Sequence, residues 1–156
     1  MKRIVLAFVL IAAATLPMSA ADMLGIGGSV GIGANKEFMD AGFTAVDLSV
    51  SVSLSMLPIQ LDDMSAGVTI RATGGSTIIN DTTSAEWYAL TPMLTIVFFD
   101  ATPMFISVGY GPHAYSALPE LYIYSPAVVI GFISGSGTME VGMVGPSVFA
   151  GFGLML

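Results

Sequence analysis

Residues Val46 to Met56 read VDLSVSVSLSM, and this stretch decides the fold. Val, Leu or Met occupies every even position, whereas Asp or Ser occupies every odd position. Successive side chains of a β-strand point to opposite faces, so the stretch has one apolar face and one face of small polar groups. A helix would spread the serines around its whole circumference. The alternation therefore predicts a strand.

The same alternation recurs before and after this stretch. Met64 to Thr73 continues it, after a segment in which Pro58 and the Asp62–Asp63 pair favour a turn. The sequence predicts eight strands, most of them close to the length of about 9–11 residues with which a tilted strand crosses a bilayer. They are residues 24–32, 46–56, 64–73, 88–98, 104–110, 122–133, 138–144 and 148–156.

The first residues have the pattern of a secretory signal peptide. Lys2 and Arg3 precede an apolar run from Ile4 to Leu16, and small residues follow as far as Ala21. An N-terminal membrane anchor is the alternative, but the run is too short to span a hydrocarbon core of about 30 Å. We therefore expect residues 1–21 to be removed on export and residues 22–156 to form the barrel domain.

The composition narrows the class of protein. Hydrophobic residues make up 54% of the chain and charged residues only 10%, whereas a soluble domain typically carries about 25% charged residues. The absence of cysteine excludes disulfides, thiolate metal sites and cysteine nucleophiles. Because 11 acidic residues stand against 4 basic ones, a basic patch for nucleic acid is also excluded.

Two architectures contain strands with one apolar face. A soluble exported β-sandwich buries that face between two sheets, whereas a membrane barrel turns it towards lipid. The opposite face here is mostly Ser, Gly, Thr and Ala, while the wet face of a sandwich carries Lys, Glu and Arg. The predicted loops also alternate between long and short, as in outer-membrane barrels. The sequence therefore predicts an all-β, membrane-spanning, antiparallel up-and-down β-barrel of eight strands.

Prolines place a constraint on this prediction. Pro92 and Pro126 fall inside predicted strands, and a closed barrel has no free edge for a residue without an N–H. We expect them to mark bulges or projecting strand ends. A helical membrane protein that spans with residues 89–108 is a further alternative, but Pro92, Asp100 and Pro103 interrupt that segment.

Aromatic residues cluster at one end of the predicted strands. Tyr and Trp side chains are enriched at membrane interfaces, because one end of each is apolar and the other is polar. We expect such a girdle beside the second and third outer loops. Its predicted members are Trp87, Tyr88, Tyr110, Tyr122 and Tyr124.

Two segments resemble the small eight-stranded outer-membrane barrels, the group that includes the outer-membrane protein A transmembrane domain and the outer-membrane proteins X and W. Residues 90–111, LTPMLTIVFFDATPMFISVGYG, look like the central hairpin of such barrels, and FAGFGLML at the end looks like their assembly signal. Gly151, Leu154 and Leu156 take the positions of that signal. The resemblance implies location in a bacterial outer membrane, contact with the lipid bilayer, and the outer-membrane barrel assembly machinery as a partner.

Three charged side chains are predicted to point into the lumen: Asp47, Arg71 and Glu140. A turn centred on Gln60 would place Asp47 diagonal to Arg71, which makes Asp47 the first expected partner. Glu140 is the second, because a two-residue turn at Gly135–Ser136 would turn it inward opposite Gly131. Such an ion pair would stiffen the barrel, or form a gate if the pairs can exchange.

Candidates for catalysis are few. His113 is the only histidine, and Pro112 beside it suggests a loop. His113 and Ser116 would lie on opposite faces of a strand, so we expect no catalytic residues, no enzyme activity, no metal and no cofactor. The expected function is a structural or surface-interaction role in the outer membrane, with an unknown external ligand of the loops. A narrow porin-like conduit for small solutes and a soluble exported β-sandwich are the alternatives.

Overall fold

The computed structural model describes residues 24–80, 83–99 and 101–155 of the chain. The predicted signal peptide, residues 1–21, and Leu156 lie outside these ranges. One sheet of eight antiparallel strands closes into a barrel, in which each strand pairs with its neighbours in sequence and the last pairs with the first. The predicted all-β, up-and-down barrel of eight strands is confirmed, and a two-sheet sandwich is not the architecture.

Several strands are longer than the alternation predicts, because pairing in the barrel also recruits weak strand formers such as the Gly74–Gly75 pair. A five-residue helix, α1 (Lys36–Asp40), follows β1 and is capped by the Asn35 side chain. No helix in the described part of the chain is long and apolar enough to cross a membrane. The strands are β1 (Leu24–Asn35), β2 (Ala45–Leu61), β3 (Met64–Ile79), β4 (Thr83–Phe98), β5 (Met104–Tyr115), β6 (Ile123–Ser134), β7 (Gly137–Val144) and β8 (Ser147–Met155).

The two ends of the barrel differ. β1 begins and β8 ends at one end, here called the terminal end, which also carries the β2–β3, β4–β5 and β6–β7 connections. The opposite end, here called the loop end, carries α1, the β3–β4 and β5–β6 connections and the tight turn between β7 and β8. Gly135 and Gly145 have φ of +59°, a left-handed conformation that favours glycine, in the β6–β7 and β7–β8 turns. The predicted two-residue turn at Gly135–Ser136 is present.

The barrel is apolar outside and polar inside. One outward row crosses β8, β1 and β2 through Phe152, Val30 and Val50, which are 66%, 59% and 58% exposed. Among the described residues, the buried side chains include 17 polar or charged residues against 11 apolar ones. This distribution reverses that of a soluble domain, in which most fully buried side chains are apolar.

The turn between β2 and β3 is tighter than predicted. It consists of Asp62 and Asp63, and the register shifts between Met56 and Ile59, where Pro58 interrupts the pairing. Asp47 consequently lies opposite Thr77, whereas a turn centred on Gln60 would have placed it opposite Thr73.

Pro92 and Pro126, the two prolines that fall inside predicted strands, lie on the outward face, where the pairing is incomplete. The pairing of β4 with β5 is interrupted between the pairs Ala89–His113 and Met93–Gly109 without a change of register, and Pro92 lies in this gap. Pro126 lies beyond the last pair between β6 and β7, which joins Val128 to Met143. The missing N–H groups are therefore accommodated at a break and at a projecting strand end.

Aromatic side chains that point inward lie against glycines. Phe105 packs over Gly131 of the next strand, and a Cβ on that glycine would overlap its ring. Phe149 lies over Gly31, where a Cβ would come within 3.0 Å of the ring. Because an eight-stranded barrel is just wide enough for its side chains to fill, a large ring requires a glycine beside it.

Candidate functional site: the polar lumen

An ion pair occupies the middle of the lumen. Arg71 of β3 donates from Nη1 to Glu140 Oε2 at 3.1 Å and from Nη2 to Glu140 Oε1. Glu140 lies on β7, four strands away, and the two side chains are 6% and 4% exposed. Two donor contacts from one guanidinium to one carboxylate form a bidentate pair, which fixes orientation as well as distance.

The strands beside Glu140 leave room for the arginine. Glu140 lies opposite Gly131 of β6 on one side and Gly151 of β8 on the other. The Phe149 ring also approaches the guanidinium, with its centroid 5.4 Å from Arg71 Cζ, which is within cation–π range. The pair is therefore positioned by two glycines and one ring.

Short hydroxyl side chains satisfy further hydrogen bonds of the pair. Arg71 Nη2 donates to Ser29 and to Ser51, each at 3.0 Å. Ser29 in turn donates to Glu140 Oε1. The Nε atom of Arg71 is buried without a hydrogen-bond partner. The alternation of serines that predicts the strands thus also supplies the polar groups that surround the charges.

Asp47 does not join this pair. It lies nearer the loop end, where Asp47 Oδ1 accepts hydrogen bonds from Thr77 Oγ1 at 2.7 Å and from Trp87 Nε1 at 2.8 Å. The expected contact between Asp47 and Arg71 is wrong, because the tight β2–β3 turn places Asp47 opposite Thr77. Glu140, the second expected partner, holds Arg71.

Trp87 lies inside the barrel. Its side chain is only 2% exposed, so its predicted place in the outer aromatic girdle is wrong. The reason is parity: its neighbour Tyr88 points outward at 40% exposure, and adjacent residues of a strand face opposite sides. Gly75, directly opposite on β3, leaves the space that the indole fills.

Replacing Gly75 with alanine is expected to destabilise the barrel by about 1–3 kcal/mol, because an added Cβ would lie 2.5 Å from Trp87 Nε1. Gly74→Ala is the matched control, since its Cβ would point outward and lie 3.8 Å from the nearest atom, the Trp87 backbone oxygen. Urea unfolding of both variants measures the difference. Equal stabilities would show that the indole does not occupy this space.

A hydrogen-bonded network joins Asp47 to the loop end. Asn35 Nδ2 donates to Thr77 Oγ1 at 2.9 Å and to the Tyr115 hydroxyl at 3.2 Å. Tyr115 donates to Glu37 Oε2 at 2.8 Å, and Glu37 Oε1 lies 2.8 Å from His113 Nε2. The network therefore runs from a buried carboxylate on β2 to a carboxylate on α1.

His113 is part of the barrel interior. It lies within β5, is 1% exposed, and has Ser125 Oγ at 3.4 Å from its Nδ1, so its expected role as a loop residue is wrong. The alternation of β5 is the sequence signal that would have placed His113 in the interior. Extending the inward positions Phe105 and Ser107 by twos leads to His113 and then to Tyr115.

The lumen is occluded at the loop end. Helix α1 lies over this mouth, where Lys36 N donates to Pro146 O at 2.8 Å and Phe38 makes an edge contact with Tyr115 at 5.6 Å between centroids. Below the helix, large side chains that are less than 2% exposed fill the interior. They include His113, Val144, Asn35, Thr77, Asp47, Pro146 and Ser147.

The terminal end contains a cavity instead. Its volume is about 60 Å³, and Arg71 and Glu140 lie at its inner limit. A chain of hydroxyls lines one wall, with Oγ···Oγ distances of 2.8 Å from Ser55 to Thr69, 2.7 Å from Thr69 to Thr95 and 2.8 Å from Thr95 to Ser107. Apolar side chains such as Met93 and Phe105 line much of the rest, so the hydroxyl wall and the ion pair are where a few water molecules would bind.

The remaining predicted residues are distributed over both faces. Gly151 points inward opposite Glu140, Leu154 points outward, and Leu156 lies outside the described residues. Tyr110 and Tyr124 stack on the outer surface, with their centroids 6.1 Å apart. Four predicted girdle residues are exposed there: Tyr88, Tyr110, Tyr122 and Tyr124.

Within the described ranges, no group of three or more His, Cys, Asp or Glu side chains is arranged to hold a metal ion. The polar lumen therefore consists of a central ion pair, a network below α1 and a small cavity at the terminal end.

No protein-family model matches the chain, and neither a curated protein nor a solved structure matches it.

Proposed function

We propose that the protein is a bacterial outer-membrane β-barrel with a structural or surface-interaction role. The observation that carries this proposal is the reversed distribution of polarity around a closed barrel. Removing apolar surface from water stabilises a protein by about 25 cal/mol per Å². Outward side chains such as Val30 and Phe152, which are 59% and 66% exposed, therefore favour an apolar environment around the barrel. Lipid supplies that environment, and closure leaves no unpaired strand edge in it.

The proposed location in the outer membrane rests on the closed barrel with its apolar outer face and on the predicted export of the chain. Spanning a bilayer with a closed antiparallel barrel is typical of outer membranes. The predicted signal peptide would direct the chain across the inner membrane. The exposed tyrosines near the loop end suit a membrane interface, and assembly machinery for such barrels would be the partner during insertion.

The filled lumen favours a structural role over a porin-like conduit. Conduction would require a continuous aqueous path, but Asp47, His113 and Val144 fill the interior at the loop end. The bidentate pair of Arg71 and Glu140 further crosses the middle of the barrel. Both terminal nitrogens of Arg71 contact Glu140, which supports a stiffening role for the pair, whereas a gate would need a second carboxylate with which Arg71 could pair instead. The loop-end connections are the surface through which external contacts would be made.

Refolding from urea into phosphatidylcholine vesicles tests this function. We expect β-sheet circular dichroism, a folded form that migrates faster on unheated gels, and no discrete conductance steps in planar bilayers. The same chain diluted without lipid is the control and should aggregate. A folded, monomeric product in lipid-free buffer would overturn the membrane assignment, and steady single-channel openings would favour the conduit.

A further inference from the structure

Asp47 is a buried carboxylate to which the described chain offers no positive partner. The Lys and Arg residues within the described ranges are Lys36 and Arg71. Lys36 pairs with Asp40 at 2.9 Å on the surface, and Arg71 pairs with Glu140 in the lumen. The imidazole of His113, the one other group that can become positive there, faces Glu37 at 2.8 Å.

The environment of Asp47 makes this arrangement costly. The residue is 0% exposed, and both donors that reach it, Thr77 and Trp87, bond to Oδ1 and carry no charge. Asp47 Oδ2 has no hydrogen-bond partner. A buried charge without a counter-charge is strongly destabilising, and orphaned buried oxygens commonly mark a bound ion or water.

A second unpartnered oxygen lies at the same end of the barrel. Ser147 Oγ is buried on β8 without a hydrogen-bond partner, and Ser147 pairs with Asn35 of β1. β1 is the strand between Asp47 and Ser147, and its residue opposite Asp47 is Gly33, beside which the backbone of β8 lies so close that a Cβ would overlap the Val148 oxygen. Hard oxygen atoms of this kind are the ligands that alkali and alkaline-earth cations prefer.

We propose that Asp47 binds a small monovalent cation of the size of sodium in the lumen below α1. One carboxylate matches one positive charge, whereas divalent sites usually combine several acidic ligands. Water is excluded from Asp47 by the barrel itself, so the need for a counter-charge is present whether or not lipid surrounds the outer surface. The cation would neutralise the buried charge of Asp47 and hold β2 against the neighbouring strands at the loop end.

The chain contains its own reporter for this site. Trp87 is the only tryptophan of the sequence, and its indole N–H donates directly to Asp47. We expect the emission of Trp87 in the folded protein to change saturably as NaCl replaces choline chloride at constant ionic strength. The midpoint of thermal unfolding should rise over the same range by about 5 °C if the site becomes saturated.

Two variants separate the site from general salt effects. Asp47→Asn keeps the size of the side chain and an acceptor for Thr77 and Trp87 but removes the charge, so both responses should disappear. Ser55→Ala changes a buried hydroxyl at the opposite end and should retain them. The proposal would be overturned if the emission and the unfolding midpoint did not change as sodium replaces choline. It would also be overturned if a saturable response persisted in Asp47→Asn.

The wild-type comparison alone decides the matter if Asp47→Asn fails to fold. A midpoint that is insensitive to either salt but rises on acidification would identify a proton as the counter-charge and overturn the cation site. Failure of the barrel to enter vesicles would contradict the proposed function and leave this sodium titration interpretable in detergent micelles.

Discussion

Replacement of Arg71 by methionine is expected to destabilise the folded barrel by about 3–5 kcal/mol, because it leaves a buried carboxylate without its cation. Methionine preserves much of the length of the side chain, so the loss is mainly electrostatic. Glu140 would keep the hydroxyl of Ser29 as its donor, and one neutral donor does not offset an unpaired charge. Equilibrium urea unfolding in vesicles measures the free-energy difference.

The double variant Arg71→Met with Glu140→Gln is expected to recover most of this loss, since it removes both charges together. Asp47→Asn is the matched control: it removes the other buried lumen carboxylate, which makes no contact with Arg71 and bonds to Thr77 and Trp87 instead. Its coupling to Arg71 should be below about 0.5 kcal/mol. A double variant no more stable than Arg71→Met would show that the Arg71–Glu140 pair does not exist in the folded protein.

Arginine at position 50 is expected to lower the stability of the membrane-inserted barrel by about 2–4 kcal/mol, the cost of an outward charge near the bilayer midplane. Val50 lies in the middle of β2 and faces outward beside Val30. An arginine side chain at this position would have no neighbouring acidic side chain to pair with on the outward face of the described barrel. Its charged end would have to extend past apolar neighbours to reach the membrane interface.

Leu118→Arg is the matched control for this change. Leu118 is 57% exposed, nearly the same as the 58% of Val50, but it lies in the connection between β5 and β6. If lipid surrounds the strands, only Val50→Arg should reduce the folded yield in vesicles and the free energy of unfolding. Equal tolerance of the two arginines would contradict a lipid-facing barrel, because solvent would then meet both positions.

The strands and their faces follow from local sequence, and registers do not. Alternation over Val46–Met56 and Met64–Thr73 determines which side chains face inward, so the inward positions of Asp47 and Arg71 could be predicted. Their pairing depended on the length of one turn, and a bulge at Pro58 shifted it. Glu140 could be placed correctly because glycine at position 135 and the short connection leave few alternatives for that hairpin.

The loop-end network was hidden from the sequence for a different reason. Glu37 lies on a short helix and reaches His113 and Tyr115 across the barrel mouth, and such a contact between distant segments leaves no periodic pattern. Trp87 shows a conflict between two local signals. Its residue type favours a membrane interface, whereas its position next to the outward Tyr88 requires an inward side chain. Position prevails because the pairing of β3 with β4 has no bulge here that would reverse the alternation.

The pairing of β1 with β8 has a consequence for how the chain reaches its final form. The other interfaces of the barrel join consecutive strands, whereas the pairs from Gly27–Met155 to Asn35–Ser147 bring together residues more than a hundred positions apart. Contacts between distant residues carry the largest loop-closure entropy and therefore form slowly. Until this interface forms, both outermost strands expose free edges that can pair with other chains.

The final step is also sterically demanding. A Cβ on Gly151 would lie 2.5 Å from the Val30 oxygen, and one on Gly153 equally close to the Gly28 oxygen, so the two backbones approach closely along this interface. Side chains there would delay closure in addition to weakening the finished barrel. The glycines of β8 therefore allow the backbones of β1 and β8 to come together, so that the interface which removes both free edges can form.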